Sequence, residues 1–196
     1  MSDPLFDPDD EAATPITPDE RRQLIPTYIT TRDQLNEAEQ IGIAEADRWA
    51  FGRKRDVLDE DFLLTLHKRM LRSVWKWAGT FRTTERNIGI EAYRIGVELR
   101  GLIGDVRYWV ENGAYDADEI AVRFHHRLVS IHLFPNGNGR HARLAADLLA
   151  VALGRERFTW GSANLVQAAE TRARYIAALR AADNHDLAPL IEFARS

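Results

Sequence analysis

The chain has 196 residues and a mass of 22.4 kDa, which fits one domain with a buried core and falls short of two independent ones. A net charge of −4 and a pI near 5.9 argue against a broad nucleic-acid or anionic-membrane surface, and the absence of cysteine excludes disulfides, thiolate zinc sites and a cysteine nucleophile. No basic segment followed by an apolar run opens the chain and no apolar stretch nears the ~20 residues of a membrane span, so a soluble, cytoplasmic protein that binds neither nucleic acid nor membrane is expected.

Residues 1–26 hold five of the seven prolines and the acidic cluster Asp7, Asp9, Asp10 and Glu11, and read as an acidic, proline-rich arm before a domain over 27–196. Composition favours a solvated tail over an acidic interaction arm. Within it, Thr17-Pro18-Asp19-Glu20 has the form of a capping box with proline at the first helical position and predicts a short helix through Leu24. Thr31 with Gln34 opens a second capping box. The helix behind it carries Ala38, Ile41, Ala44, Ala46 and Trp49 on an apolar face and Glu37, Glu39, Glu45 and Asp47 on a polar one.

Asp59 or Asp61 caps a helix that turns Phe62, Leu63, Leu66, Met70, Leu71, Val74 and Trp75 inward and ends near Gly79. His67 on it reads as a partly exposed surface residue, since no partner at metal-ligand spacing accompanies it. The polar stretch 80–90 predicts a small β-hairpin around Arg86-Asn87. From Tyr93 to Glu111, Val97, Leu99, Leu102, Ile103, Val106, Trp109 and Val110 recur at helical spacing, and Asn112-Gly113 stops the helix. Asp116, supported by Glu119, caps the next one, with Ile120, Phe124, Leu128 and Ile131 inward. After Gly154 a linker leads to Ser162, read as the cap of a helix holding Leu165, Val166, Ala169, Tyr175, Ile176 and Leu179 and ended by Asn184. A short helix from Asp186 to Phe193 closes an all-α bundle.

Two of these helices flank the stretch His132-Leu133-Phe134-Pro135-Asn136-Gly137-Asn138-Gly139-Arg140-His141-Ala142-Arg143. Pro-Asn-Gly-Asn-Gly continues neither helix, and glycines at a turn let successive N–H groups point inward. The following helix adds its free N–H groups and the positive end of its dipole. Arg140 and Arg143, three apart, share a face of the first turn, where both guanidinium groups can fork onto phosphate oxygens. His132 stands at the other lip, with an ordinary pKa near 6.5 that leaves much of it free to accept a proton. A base beside a phosphate cradle points to phosphoryl or nucleotidyl transfer. A zinc cluster of His125, His126, His132 and His141 is disfavoured, because no ligand spacing is present. Phe134 reads as an apolar anchor for the loop.

The string resembles the Fic signature, His-x-Phe-x-Asp/Glu-Gly-Asn-Gly-Arg-x-x-Arg, at every fixed position except Asn136, where the family usually has an acid. Trp77-Ala78-Gly79-Thr80-Phe81-Arg82 resembles the start of the family's flap. The segment Leu35 to Gln40 is most similar to the branch called mobile mystery protein B within the Fic/DOC family. This resemblance implies a Fic-type helical bundle with a small β-hairpin flap and protein adenylyltransferase activity, a nucleotidyltransferase reaction using ATP and Mg2+. His132 would deprotonate a Ser, Thr or Tyr hydroxyl of a target protein, which attacks the α-phosphate of ATP. Gly137, Asn138 and Gly139 would hold phosphates through backbone and amide donors, with Arg140 and Arg143 neutralising them. Flap residues Thr83, Thr84, Asn87, Ile88 and Gly89 would hold the target as an added strand.

Asn136 would be a weak magnesium ligand, an amide oxygen being poorer than a carboxylate for a hard cation. Ordinary AMP transfer with weaker magnesium binding ranks first, transfer of another phosphate-containing group second, and nucleotide binding without useful catalysis third. The competing class is a nucleotide-binding interaction module of a toxin–antitoxin-like pair. A kinase-like variant is a further alternative, although the related branch that transfers phosphate has Ala-Asn-Lys-Arg where Gly137 to Arg140 stand here. Family members with a self-inhibitory helix carry Ser/Thr-x-x-x-Glu-Gly/Asn. Thr31-x-x-x-Leu35-Asn36 lacks that Glu, which leaves Glu37 or Glu39 as candidate inhibitory residues against the simpler reading of a solvated acidic face.

Overall fold

The structure, a computed structural model, describes residues 17–162 and 168–196. In chain order its helices are α1 (Pro18–Arg21), α2 (Arg32–Phe51), α3 (Glu60–Leu71), α4 (Ile95–Asn112), α5 (Ala117–Ile131), α6 (Asn138–Ala152), α7 (Ala168–Asp183) and α8 (Ala188–Arg195), with a 3-10 turn at Ala92–Arg94 before α4. Local chemistry sets most of the boundaries. Thr17 with Glu20 and Thr31 with Gln34 close reciprocal capping boxes, and Asp59 accepts the Phe62 N–H at 2.7 Å. Gly113 ends α4 in the left-handed region.

Helices α5 and α6 form the central hairpin, with α4 and α8 packed against α5, α3 against α6, and α2 across α3. Leu63, Leu66, Met70, Leu99, Leu102, Phe124, Phe134 and Ala145 lie at 0% exposure along these contacts. Position Asp147 on α6 is buried and accepts from the Trp160 indole at 2.9 Å and the Phe158 N–H at 3.3 Å, which fixes the segment after α6. Asp118 at the start of α5 pairs with Arg155 and Arg195 and ties down the C-terminal helix.

Several expectations are corrected. Helix α1 stops at Arg21 and α3 at Leu71, because the chain after Leu71 turns out to meet the N-terminal segment: Leu24 and Trp75 form an antiparallel bridge, with Ile25 N–H on the Val74 carbonyl at 2.8 Å. The described part of the arm, from Thr17, is therefore no solvated tail; Glu20 is buried and ion-paired to Arg86. The buried face of α2 is Leu35, Glu39, Gly42, Ala46 and Ala50, while Ile41 is 58% exposed. Val97 on α4 likewise faces solvent. Asp116 precedes α5 without a side-chain cap bond, and Glu119 instead pairs with Arg123.

The β-hairpin is also absent: among the described residues there is no strand, and 80–90 is a series of turns and bends. The physical reason is Arg82, whose guanidinium takes the Thr84 carbonyl at 3.0 Å and the Ile90 carbonyl, acceptors that a ladder would need. The Ser162 cap with Leu165 and Val166 reaches into 163–167, outside the described residues. At Ser162 itself the hydroxyl donates to the Thr159 carbonyl at 2.6 Å.

Trp75 couples the N-terminal segment to α2, since it is 1% exposed, stacks on Trp77 and donates its indole N–H to Glu39 Oε1 at 2.7 Å. Trp75→Phe keeps the stack but strips a buried carboxylate oxygen of its donor, at a cost of about 1–3 kcal/mol. Urea unfolding should show a lower midpoint at unchanged slope, and an unchanged midpoint would refute the anchoring role.

Candidate functional site

The loop between α5 and α6 is held by contacts that leave it little freedom. His132 leaves α5 with φ 58° and ψ 66°, a left-handed conformation that costs a non-glycine residue about 1–3 kcal/mol and persists only where its surroundings impose it. Phe134 is fully buried and stacks on His67, ring centroids 3.6 Å apart. Asn138, the first residue of α6, folds back over the loop: its Oδ1 accepts the Phe134 N–H at 2.9 Å and its Nδ2 donates to the Phe134 carbonyl at 2.8 Å. The side-chain amide expected to donate to phosphate is thus spent as a clamp on the loop. Backbone N–H groups of Asn138, Gly139 and Arg140 precede the first intrahelical bond, from His141 N–H to the Gly137 carbonyl.

His67 is 0% exposed, contrary to the surface reading from sequence. The Gly79 N–H donates to its Nδ1 at 2.9 Å, so the ring carries its proton on Nε2 and donates to the Asn136 carbonyl at 3.0 Å. Burial, then neighbouring His141, pushes its pKa well below the ordinary value, which keeps it neutral. Gly137, at φ 79°, closes the loop under Leu71, whose Cδ1 lies 2.9 Å from where a Cβ would stand.

His132 is 4% exposed, and burial, then Arg82 and Arg86, lower its pKa to about 4 against a raising hydrogen bond with the Val129 backbone. The imidazole is accordingly a neutral base at physiological pH. Arg82 is the brace behind it: Nε donates to the His132 carbonyl at 2.6 Å, Nη2 to the Ile131 carbonyl at 3.3 Å, and its backbone N–H to the Leu133 carbonyl at 2.9 Å. The stretch 80–90 is bound in this way to the base itself, and a Cβ on Gly89, at φ 98°, would stand 2.6 Å from the His132 Cβ.

Arg140 points to α2, where Glu39 Oε2 lies 2.7 Å from its Nη1. Arg143 stacks over the Tyr175 ring at 5.4 Å, and among the described residues no carboxylate comes within 4.0 Å of it. Burial pushes the Tyr175 hydroxyl up to about 12, so it stays protonated. His132, Asn136 to Arg140, Arg143 and Tyr175 line a single cleft of about 1180 Å³, together with Glu39, Asn87, Ile88 and Gly89. The structure therefore brings together every candidate base and phosphate residue. It does not bring in Thr83 and Thr84, which are exposed away from the cleft, nor Glu37, exposed on α2.

For a divalent cation the fit is poor. Asn136 Oδ1 already accepts the Gly137 N–H at 2.5 Å, and Glu39, the carboxylate on this side of the cleft, is shared between Trp75 and Arg140. Among the described residues no group of three His, Asp or Glu side chains could hold a metal. Sequence reasoning missed His67, Arg82 and Tyr175 as site builders. The register of His67 between Leu66 and Met70 on the inward face of α3 was the available signal, and the likeness of the Trp77–Arg82 string to a flap was the signal for Arg82.

Fold and site together define a helical domain with an arginine-lined cleft closed by a histidine-containing glycine loop. Residues 57–150 match the family model of the Fic/DOC family, and the chain carries a domain of that family. It is 29% identical over 163 residues to the protein adenylyltransferase fic-1 of Caenorhabditis elegans, covering 79% of this chain and 31% of that protein. Against the protein of the same name from Caenorhabditis briggsae it is 31% identical over 137 residues, 68% of this chain and 26% of that one. The chain thus spans less than a third of the length of these relatives. Among solved structures, Fic-1 (residues 134–508) from C. elegans superposes with a TM-score of 0.68 at 26% identity, covering 90% of this chain and 51% of that one. The BepC protein with bound AMPPNP from Bartonella tribocorum superposes with a TM-score of 0.68 at 18% identity, covering 90% and 95%.

Buried neutral histidines make a prediction about acid. The unfolded chain binds histidine protons near pH 6.5, while the folded chain does so only near 4 for His132 and His141 and near 3 for His125. Unfolding takes up protons between these values, so stability is intact above pH 6.5 and falls below it, by up to about 1.4 kcal/mol per pH unit for each histidine. Urea midpoints measured from pH 7 to 4.5 should drop steadily; a flat profile would contradict the burial of these rings.

Proposed function

We propose that the chain is a protein adenylyltransferase that moves AMP from ATP to a Ser, Thr or Tyr hydroxyl of a target protein. The observation that carries this reading is the placement of a buried, neutral His132 on the same cleft as Arg143, a cation with no carboxylate within salt-bridge distance among the described residues. The relatives named protein adenylyltransferases and the AMPPNP-bound neighbour support the nucleotide. A target protein is the natural partner of such a reaction, with Asn87, Ile88 and Gly89 beside the base as the backbone on which it rests; the hairpin would form only as that segment pairs with it.

In this mechanism the acceptor oxygen attacks the α-phosphorus, its proton passes to His132, and the bond from the α-phosphorus to the bridging oxygen breaks to release pyrophosphate. Arg143, with the N–H groups of Asn138, Gly139 and Arg140, stabilises the charge that accumulates on the phosphates. Bound anions oppose the lowering effect of Arg82 and Arg86 on His132, so the base strengthens as the nucleotide arrives. Magnesium, implied by family resemblance, would meet at Asn136 a neutral amide oxygen in place of a carboxylate, and phosphate neutralisation would fall to the arginines and backbone. Of the two candidate inhibitory carboxylates we read Glu39 as the regulating one, since it pairs with Arg140 and would compete with phosphate for it.

Incubation of wild type and His132→Ala with ATP labelled at the α or the γ position, in host lysate, tests the reading. Label on protein from the α position alone, lost by at least about 100-fold in the variant, is expected. Transfer of γ label would make the protein a kinase, and nucleotide binding without transfer would make it the interaction module of a toxin–antitoxin-like pair.

A further inference from the structure

With the Asn138 amide held by Phe134, the phosphate cradle lacks the neutral side-chain donor that the sequence suggested, and α7 supplies another. Gly139 and Arg143 lie four apart on α6 and so share a face of its first turn. Tyr175 of α7 lies along that face. The Arg143 guanidinium carbon stands 5.4 Å from the centre of its ring, and a Cβ on Gly139 would stand 3.6 Å from its hydroxyl oxygen. A side chain at 139 would cover that oxygen. Glycine leaves it open beside the N–H groups of Asn138, Gly139 and Arg140 that precede the first intrahelical bond, and all of these residues line a common cleft.

The tyrosine is held from behind. Its ring packs at a tilt on Phe193 of α8, centroids 5.6 Å apart, and on His125 of α5, 5.8 Å apart, while its hydroxyl meets His125 Nε2 at 3.1 Å. His125 is fully buried, and burial, then Arg143, hold its pKa down to about 3, so the ring stays neutral. A neutral imidazole can accept or donate at Nε2, and the hydroxyl remains anchored whichever way its own proton turns. Burial keeps that proton on the oxygen, with the Tyr175 pKa pushed up to about 12. The group therefore meets an anion as a donor and never as a second negative charge. It does so next to a cation, Arg143, that has no carboxylate within 4.0 Å among the described residues.

Resting on the nucleotide reading above, we propose that the Tyr175 hydroxyl donates a hydrogen bond to the phosphate chain of the nucleotide over the first turn of α6, while its ring fixes Arg143 for the same anion. Calorimetric titration of the full chain with inorganic tripolyphosphate and with a non-hydrolysable ATP analogue tests this. Tyr175→Phe keeps the ring and should lose affinity for both by about tenfold, the worth of a hydrogen bond to a charged acceptor. Tyr175→Leu removes the ring as well and should lose more. Should Tyr175→Phe unfold for want of a partner to His125, 3,5-difluorotyrosine at position 175 decides the matter. It keeps the packing, stays protonated at pH 7 and is a stronger donor, so it should bind tripolyphosphate more tightly than the wild type does. A Tyr175→Phe protein with native melting temperature and wild-type affinity overturns the proposal and leaves the nucleotide reading standing, as does a fluorinated protein that binds no more tightly. A wild type that binds neither probe overturns both.

Discussion

Everything at the cleft depends on the two hydrogen bonds by which Asn138 closes on the backbone of Phe134. With both backbone polar groups of that residue satisfied, Phe134 can go fully into the core and meet His67, and the chain on either side has no choice of path. On one side, His132 is forced into its left-handed conformation and delivered to the cleft. On the other, Gly137 turns the chain under Leu71 so that α6 starts with its N–H groups facing the same space. The loop is a rigid part of the core that happens to have one open edge.

The electrostatics follow from that placement. A chain of net charge −4 gathers Arg82, Arg86, Arg140 and Arg143 around a single loop, so the cleft is locally basic against an acidic whole. Two of these cations are already offset by buried carboxylates from the N-terminal region, Arg86 by Glu20 and Arg140 by Glu39. Arg143 lies over the face of Tyr175 with no carboxylate within 4.0 Å among the described residues, and is the charge with most to gain from an anionic ligand. Meanwhile the buried histidines stay neutral, His67 and His141 as donors to backbone carbonyls at Asn136 and Leu63 and His132 with its own carbonyl held by Arg82.

The helices were legible in the sequence because their signals are local: capping boxes at Thr17 and Thr31, the Asn112-Gly113 stop, and apolar spacing in α4 and α5. The signature loop was legible because glycines, arginines and histidine in one register have few structural alternatives, and the structure gathers them on one cleft. What stayed hidden depends on residues far apart in the chain. The hairpin gave way to Arg82, which takes the Thr84 and Ile90 carbonyls while its bonds to Ile131 and His132, some fifty residues on, hold it in place. Glu39 looked solvated because acidic neighbours surround it in sequence, yet Trp75 and Arg140 bury it. Asn138 read as a phosphate donor because its amide has the right chemistry, and only three-dimensional contacts reveal that the amide is already used.

The central claim is that the loop of His132 to Arg143 is a preformed seat for the phosphates of a nucleotide. Titration of the wild type and Arg143→Gln with a non-hydrolysable ATP analogue by calorimetry, at low and moderate salt, tests it most directly. The account predicts one site in the wild type whose affinity falls with salt, and a loss of about tenfold or more in the variant, which keeps its fold. Equal affinity in both proteins, or no binding to the wild type, would contradict it.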